Sequence, residues 1–151
     1  MPLNLPSRRV KGHLVVIGSS GIVWPGSVDP LATDIGDSRL LLGGTLDVGD
    51  ESPEVRPEVI ARIRSYLGAA VPATVQAPSS HAWCCFRPAH PDDLPVVDRL
   101  AGLSNAWVSS GHFRTGILMA PATGFALANW IATGRAPSEI TELSASRFDT
   151  V

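Results

Sequence analysis

Residues Val10-Lys-Gly-His-Leu-Val-Val-Ile-Gly18 are rich in β-branched side chains and bounded by glycine, the pattern of a buried strand. The residues after that strand narrow the possible folds further than any others. Gly18-Ser-Ser-Gly21 offers the glycine turn of a dinucleotide-binding unit, but Ser20 stands where the middle glycine belongs. Trp24-Pro25-Gly26 then occupies the place where the helix of such a unit would begin. Without that helix no row of N–H groups faces a phosphate. The segment therefore reads as a strand that ends in a turn.

The remaining pattern is short strands with two helices. Arg39-Leu-Leu-Leu-Gly-Gly-Thr-Leu46 is a second short apolar run, followed by a polar loop over 47–56 that contains Gly49 and Pro53. Pro57 and Glu58 open a helix whose Val59, Ile60, Ile63 and Leu67 form a 3.6-residue stripe ending at Gly68. From His81 the chain reads as a strand that enters a proline-rich turn over 88–95. Trp83, Cys85 and Arg87 share one face of this strand, and Ala82, Cys84 and Phe86 the other. A short strand over 105–110, a glycine-bounded turn Gly111-His-Phe-Arg-Thr-Gly116 and a helix over 117–133 that stops at Gly134 complete the order. Ala120, Gly124 and Ala128 give that helix a stripe of small residues. Mixed strands with two helices predict an α/β (α+β) fold.

At 151 residues and 44% apolar content the chain can bury a core of its own. Twelve basic against fourteen acidic residues, with Lys11 the sole lysine, leave no electrostatic footprint for nucleic acid or an anionic membrane surface. The longest uninterrupted apolar stretches, such as 14–17 and 117–122, fall far short of the roughly 20 residues that span a bilayer, and the N-terminus lacks the apolar region of a secretory signal. A cytoplasmic protein is expected. Cys84 and Cys85 are adjacent, without metal-ligand spacing around them, so they read as small core residues of a strand rather than a zinc site.

Arg87 and Arg114 each interrupt an apolar stretch. A planar guanidinium there suits a carboxylate held bidentately, or an internal partner such as Asp92, Asp93 or Asp98. His112 is open in the same way between a hydrogen-bonded structural residue and a chemical one. No Ser/His/Asp or Cys/His order and no carboxylate pair stands out. No catalytic side chain is assigned, and the chain reads as one that binds.

Two segments carry a family likeness. Trp83-Cys-Cys-Phe-Arg-Pro-Ala-His-Pro-Asp-Asp-Leu-Pro-Val-Val97 and Gly111-His-Phe-Arg-Thr-Gly-Ile-Leu-Met-Ala-Pro-Ala-Thr-Gly124 closely resemble the C-terminal motifs of the FAD-dependent amine and amino-acid oxidoreductases of the D-amino-acid oxidase superfamily, glycine oxidases above all. Val10-Lys-Gly resembles the family's entry into its substrate domain, Arg39 to Thr45 its Gly-Ala-Thr strand and Ser146-Arg-Phe148 its closing segment, so the likeness spans nearly the whole chain. It implies that Arg87 binds a substrate carboxylate and that Arg114 lines the substrate and flavin pocket. It also implies that Gly111, His112, Phe113, Arg114, Thr115, Gly116 and Ile117 approach the flavin edge of FAD, where a helix N-terminus stabilises the negative charge that hydride brings. Residues 1–100 then correspond to the substrate-binding region and 101–151 to the C-terminal segment of the FAD-binding domain.

Members of that family begin with a phosphate-binding half of roughly 200 residues, more than one typical domain, that these 151 residues do not resemble. The implied protein works with a partner chain carrying the dinucleotide-binding motif, or as a homo-oligomer, on a small amino acid or amine. The other expectation is an inactive remnant or a module that binds a small carboxylate. Leu31 takes the place of a pocket tyrosine, and Asp34-Ile35 that of Pro-Arg, so the substrate pocket is expected to differ. The apolar helix face bearing Phe125 is expected to lie open or to be covered by self-association.

Overall fold

The computed structural model describes residues 5–22 and 32–148. Trp24, Pro25, Gly26 and Leu31, on which parts of the sequence reading rest, lie outside them. The chain divides into two compact units, Lys11–Phe86 and Met1–Val10 with Arg87–Val151.

The first unit is built on β1 (Arg8–Gly18), whose central residues are almost wholly buried. β2 (Ala32–Asp34) and β3 (Arg39–Gly43) add to it in the order β2-β3-β1, with β4 (Asp47–Val48) on the other side and β5 (Ser79–Ala89) also paired to β1. The β1–β3 and β2–β3 pairs are antiparallel, with Val16 opposite Leu41 and Thr33 opposite Leu41. Alternate residues then face one side: Val15 and Ile17 of β1 and Leu40 and Leu42 of β3 meet Val59, Ile63 and Leu67 of α1 (Pro57–Ala70). The stripe read from the sequence is the buried face of α1. The helix runs two residues past Gly68, because that glycine is a packing position and not a stop: a Cβ there would overlap the Val75 side chain. β2 and β4 are too short for a sequence pattern.

β1 ends in a turn, as expected, with Ile22 N–H bonded to the Ser19 carbonyl. Gly18 N–H donates to Pro78 O at 2.9 Å, which ties this glycine end to the segment that precedes β5. No strand, glycine turn and helix of the dinucleotide-binding kind occurs among the described residues, and the architecture is the mixed α/β one anticipated. One expectation fails. Cys84 and Cys85 lie in strand β5, but Cys85 is exposed and Cys84 half-buried, its thiol 3.2 Å from Pro53 O. β5 does not have two covered faces there.

The second unit carries the antiparallel ribbon β6 (Val96–Arg99) and β7 (Trp107–Ser110), in register from Val96 opposite Ser110 to Arg99 opposite Trp107. α2 (Gly116–Thr133) comes next, closed by Gly134 in the left-handed region (φ 70°) as the sequence indicates. Of its eighteen residues only Thr123 is buried. By length and composition alone α2 is long and apolar enough to cross a membrane, the one such helix among the described residues. No single apolar run in the sequence reaches that length because Gly116, Thr123, Gly124 and Asn129 interrupt it.

Candidate functional site

The chain leaves β7 through a loop whose shape the backbone dictates. Gly111 has φ 72°, and a Cβ there would run into the His90 ring, so both conformation and space require glycine. Phe113 takes φ 49°, a conformation that costs a non-glycine residue on the order of 1–3 kcal/mol. Neighbouring bonds hold it. Phe113 N–H donates to Pro88 O at 3.1 Å, Ala89 and His112 form an isolated antiparallel bridge, and Thr115 closes the turn through both its N–H and its hydroxyl, each 3.0 Å from His112 O.

This fastening creates a cleft of about 520 Å³. Pro88 contributes one wall, Ser109 to Phe113 the floor, and Gly116, Ala120, Thr123, Gly124 and Leu127 of α2 the other wall. Gly116, Ala120 and Gly124 recur every fourth residue, so two members of the small-residue stripe read from the sequence line the cleft. No side chain caps the N-terminus of α2. Its first N–H groups, which have no intrahelical partner, and the positive end of its dipole remain available.

The predicted site residues separate. Gly111, His112, Phe113 and Gly116 line the cleft, whereas Arg87, Arg114, Thr115 and Ile117 are not among its lining residues. Both arginines nevertheless flank the Phe113–Pro88 bond, Arg87 preceding Pro88 on half-buried β5 and Arg114 following Phe113 on the exposed turn. Arg114 has no ion pair or hydrogen bond among the described residues. Arg87 does have an interaction within the fold; of the acidic residues considered as internal partners, Asp92 pairs with Arg147 at 2.7 Å, Asp93 pairs with Arg8, and Asp98 accepts from Ser144 Oγ and Ala145 N–H. Arg147 accordingly holds the Asp92 carboxyl below its ordinary pKa.

His112 is hydrogen-bonded and also faces the cleft. Its Nε2 lies 3.2 Å from Thr123 Oγ1, and burial, then the charge of nearby His90, holds the imidazole pKa below its ordinary value. His90 itself is buried beneath Gly111, with Nδ1 2.7 Å from Pro6 O and Nε2 3.1 Å from Ser110 Oγ. Sequence reasoning missed His90, Ser110 and Thr123. Their only signal was position, next to the Arg-Pro and Gly-His-Phe-Arg segments.

The other unit contains a buried polar cluster that no sequence motif marked. Lys11 is fully buried, its Nζ bonded to Asp50 Oδ2 (3.0 Å), Ser52 Oγ (3.0 Å) and Glu54 O (2.6 Å). The Lys11 bond is the main reason the Asp50 carboxyl falls to about 2. His13 Nε2 accepts from Arg56 N–H at 3.2 Å, which leaves Nδ1 as the donor to Asp47 Oδ2 at 2.9 Å. Both side chains have their capacity filled within the fold, so they pin the segment over 45–56 to β1.

A family model described as FAD dependent oxidoreductase (DAO) matches residues 2–130. The chain belongs to that family. It is 28% identical over 152 residues to the hydrogen cyanide synthase subunit HcnC of Pseudomonas protegens, covering 98% of this chain and 36% of that protein. It is 33% identical over 118 residues to a glycine oxidase of Bacillus licheniformis, covering 75% of this chain and 31% of that protein. The chain thus spans about a third of the length of the curated relatives it matches. Its fold is similar to the glycine oxidase from Geobacillus kaustophilus (TM-score 0.78, 24% identity, 96% of this chain, 40% of that one) and to the L-proline dehydrogenase from P. horikoshii (TM-score 0.78, 19% identity, 99% and 42%).

Proposed function

We propose that these 151 residues form the C-terminal substrate-binding and flavin-contacting part of a glycine-oxidase-like, FAD-dependent oxidoreductase acting on a small amino acid or amine. The observation that carries the reading is the Phe113–Pro88 bond, which fastens the Gly-His-Phe-Arg turn to the Arg-Pro strand end beside an uncapped helix N-terminus. In this reading 1–100 serve the substrate and 101–151 the cofactor.

The residues present suit a flavin edge. Gly116, Ala120 and Gly124 keep one wall of the cleft low, nothing lies within 4 Å of a Cβ placed on Gly124, and the open N–H groups of α2 suit developing negative charge. Gly111 to Ile117 would hold that edge. Bound FAD supplies the two-electron acceptor for hydride leaving the substrate Cα. Arg114 and Arg87 orient the substrate through its carboxylate. The chain's contribution is placement and electrostatics, without a side-chain base. Residues beyond these, on the same polypeptide or on a partner chain, hold the FAD phosphates, and they or a second copy cover the face of α2 bearing Ile117, Leu118 and Phe125.

The test is flavin retention. After mixing with FAD and desalting, these residues alone are expected to keep little flavin. Supplying a polypeptide with a dinucleotide-binding strand, turn and helix should restore retention and anaerobic bleaching by amino acids or amines, with Arg114→Gln raising the KM for carboxylate-bearing substrates. Stoichiometric retention by these residues alone contradicts the division of labour. Retention without bleaching by any amine favours the inactive remnant.

A further inference from the structure

Ser110 lines the cleft, and its partner is a histidine with one fixed nitrogen. His90 is 2% exposed, and its Nδ1 faces the carbonyl oxygen of Pro6 at 2.7 Å. A carbonyl can only accept, so Nδ1 carries a proton whatever the charge of the ring. The one ring position open to a second proton is therefore Nε2, 3.1 Å from Ser110 Oγ. A hydroxyl can reverse its role. Opposite a neutral ring the Ser110 O–H donates to Nε2 and turns its lone pairs to the cleft. Opposite a cationic ring it accepts from Nε2–H, and its own proton turns outward. The loop cannot step aside, because Gly111 at φ 72° rests on the His90 ring with no room for a Cβ.

We propose that His90 is a positioning residue which sets, through Ser110, whether the cleft presents a hydrogen-bond acceptor or a donor to its ligand. With His90 neutral the cleft favours a ligand N–H or O–H at Ser110. With His90 charged it favours an anionic or carbonyl oxygen. The inference rests on the flavin reading only for the identity of the ligand. The groups around His90 are His112 on the loop, the Arg8–Asp93 pair, whose Asp93 N–H bonds His90 O, and the Asp92–Arg147 pair, whose guanidinium lies over the Phe148 ring that flanks His90. His112 is the other imidazole among these groups and must be followed with His90.

Histidine ¹⁵N NMR of the chain between about pH 5 and pH 8 tests this. The expected result is an Nδ1–H tautomer for neutral His90, with the Ser110 and Gly111 amides shifting at the His90 midpoint, and loss of the Gly111 shift in Ser110→Ala while His90 still titrates. An Nε2–H tautomer, amides that follow His112 alone, or a pH response unchanged in Ser110→Ala overturns it. Should Ser110→Ala not fold, the tautomer and shared midpoint of the unmodified chain decide. FAD retention measured separately, with and without a phosphate-binding polypeptide, keeps the two readings apart. Failure of retention in both cases, with the titration as described, removes only the flavin assignment. Retention with the wrong tautomer removes only the role of His90.

Discussion

The two helices invert the usual relation between hydrophobicity and burial. α1 is the less apolar in sequence, yet Val59, Ile63 and Leu67 are buried against β1 and β3. α2 is apolar on nearly every side, yet Ile117 is 96% exposed, Leu118 82% and Phe125 71%. Burial is decided by what stands opposite, and α1 has a sheet face to pack on. Under the function proposed above, this open face of α2 is where further residues or a second copy pack.

The sharpest way to break this contrast is to empty the packed side. Leu42→Ala removes a fully buried side chain of β3 from the cluster it forms with α1 and is expected to lower the unfolding free energy by about 2–5 kcal/mol, measured by urea denaturation. Gly111→Ala comes next in the other unit. Forcing a side chain into the left-handed region costs about 1 kcal/mol or more, to which overlap with His90 adds, so the loop and cleft should be destabilised while the sheet unit keeps its amide protection.

Two smaller effects are read by pH. The Asp50 carboxyl lies near 2 when folded and near 3.8 otherwise, so its contribution is complete above the higher value and lost as pH falls through the lower one. Lys11→Met should flatten that acid limb of the stability curve. His112 is depressed from its ordinary 6.5 by burial, so the unfolded chain binds more protons just below that value and stability should rise with pH there. A His112 NMR titration midpoint at or above 6.5 would contradict this. Smallest of all, Leu118→Ala on the open face of α2 should change stability by no more than about 0.5 kcal/mol while reducing self-association in light scattering.

Much of this contrast was legible in the sequence, and its gaps have physical reasons. The α1 stripe, the β1 and β3 runs and the Gly134 stop follow local rules of period and backbone freedom. β6 escaped because four residues, two of them charged, carry too little alternation. The exposure of Cys85 escaped because β-propensity does not tell whether both faces of a strand are covered. At the site, the glycine-bounded turn could be read from its residues. The roles of His90 and Ser110 could not, since they depend on a fastening between segments distant along the chain.

That fastening has an engineering consequence. The Ala89–His112 bridge and the Phe113–Pro88 bond close the base of the β6–β7 ribbon, while its far end turns through exposed residues 101–105 beneath a Leu100–Ala106 bond. The bonds that shape the cleft thus lie at the end of the ribbon opposite that tip. Exposed Ser104, rather than Gly102 with its φ of 80°, is the natural place to graft a fluorophore or affinity handle.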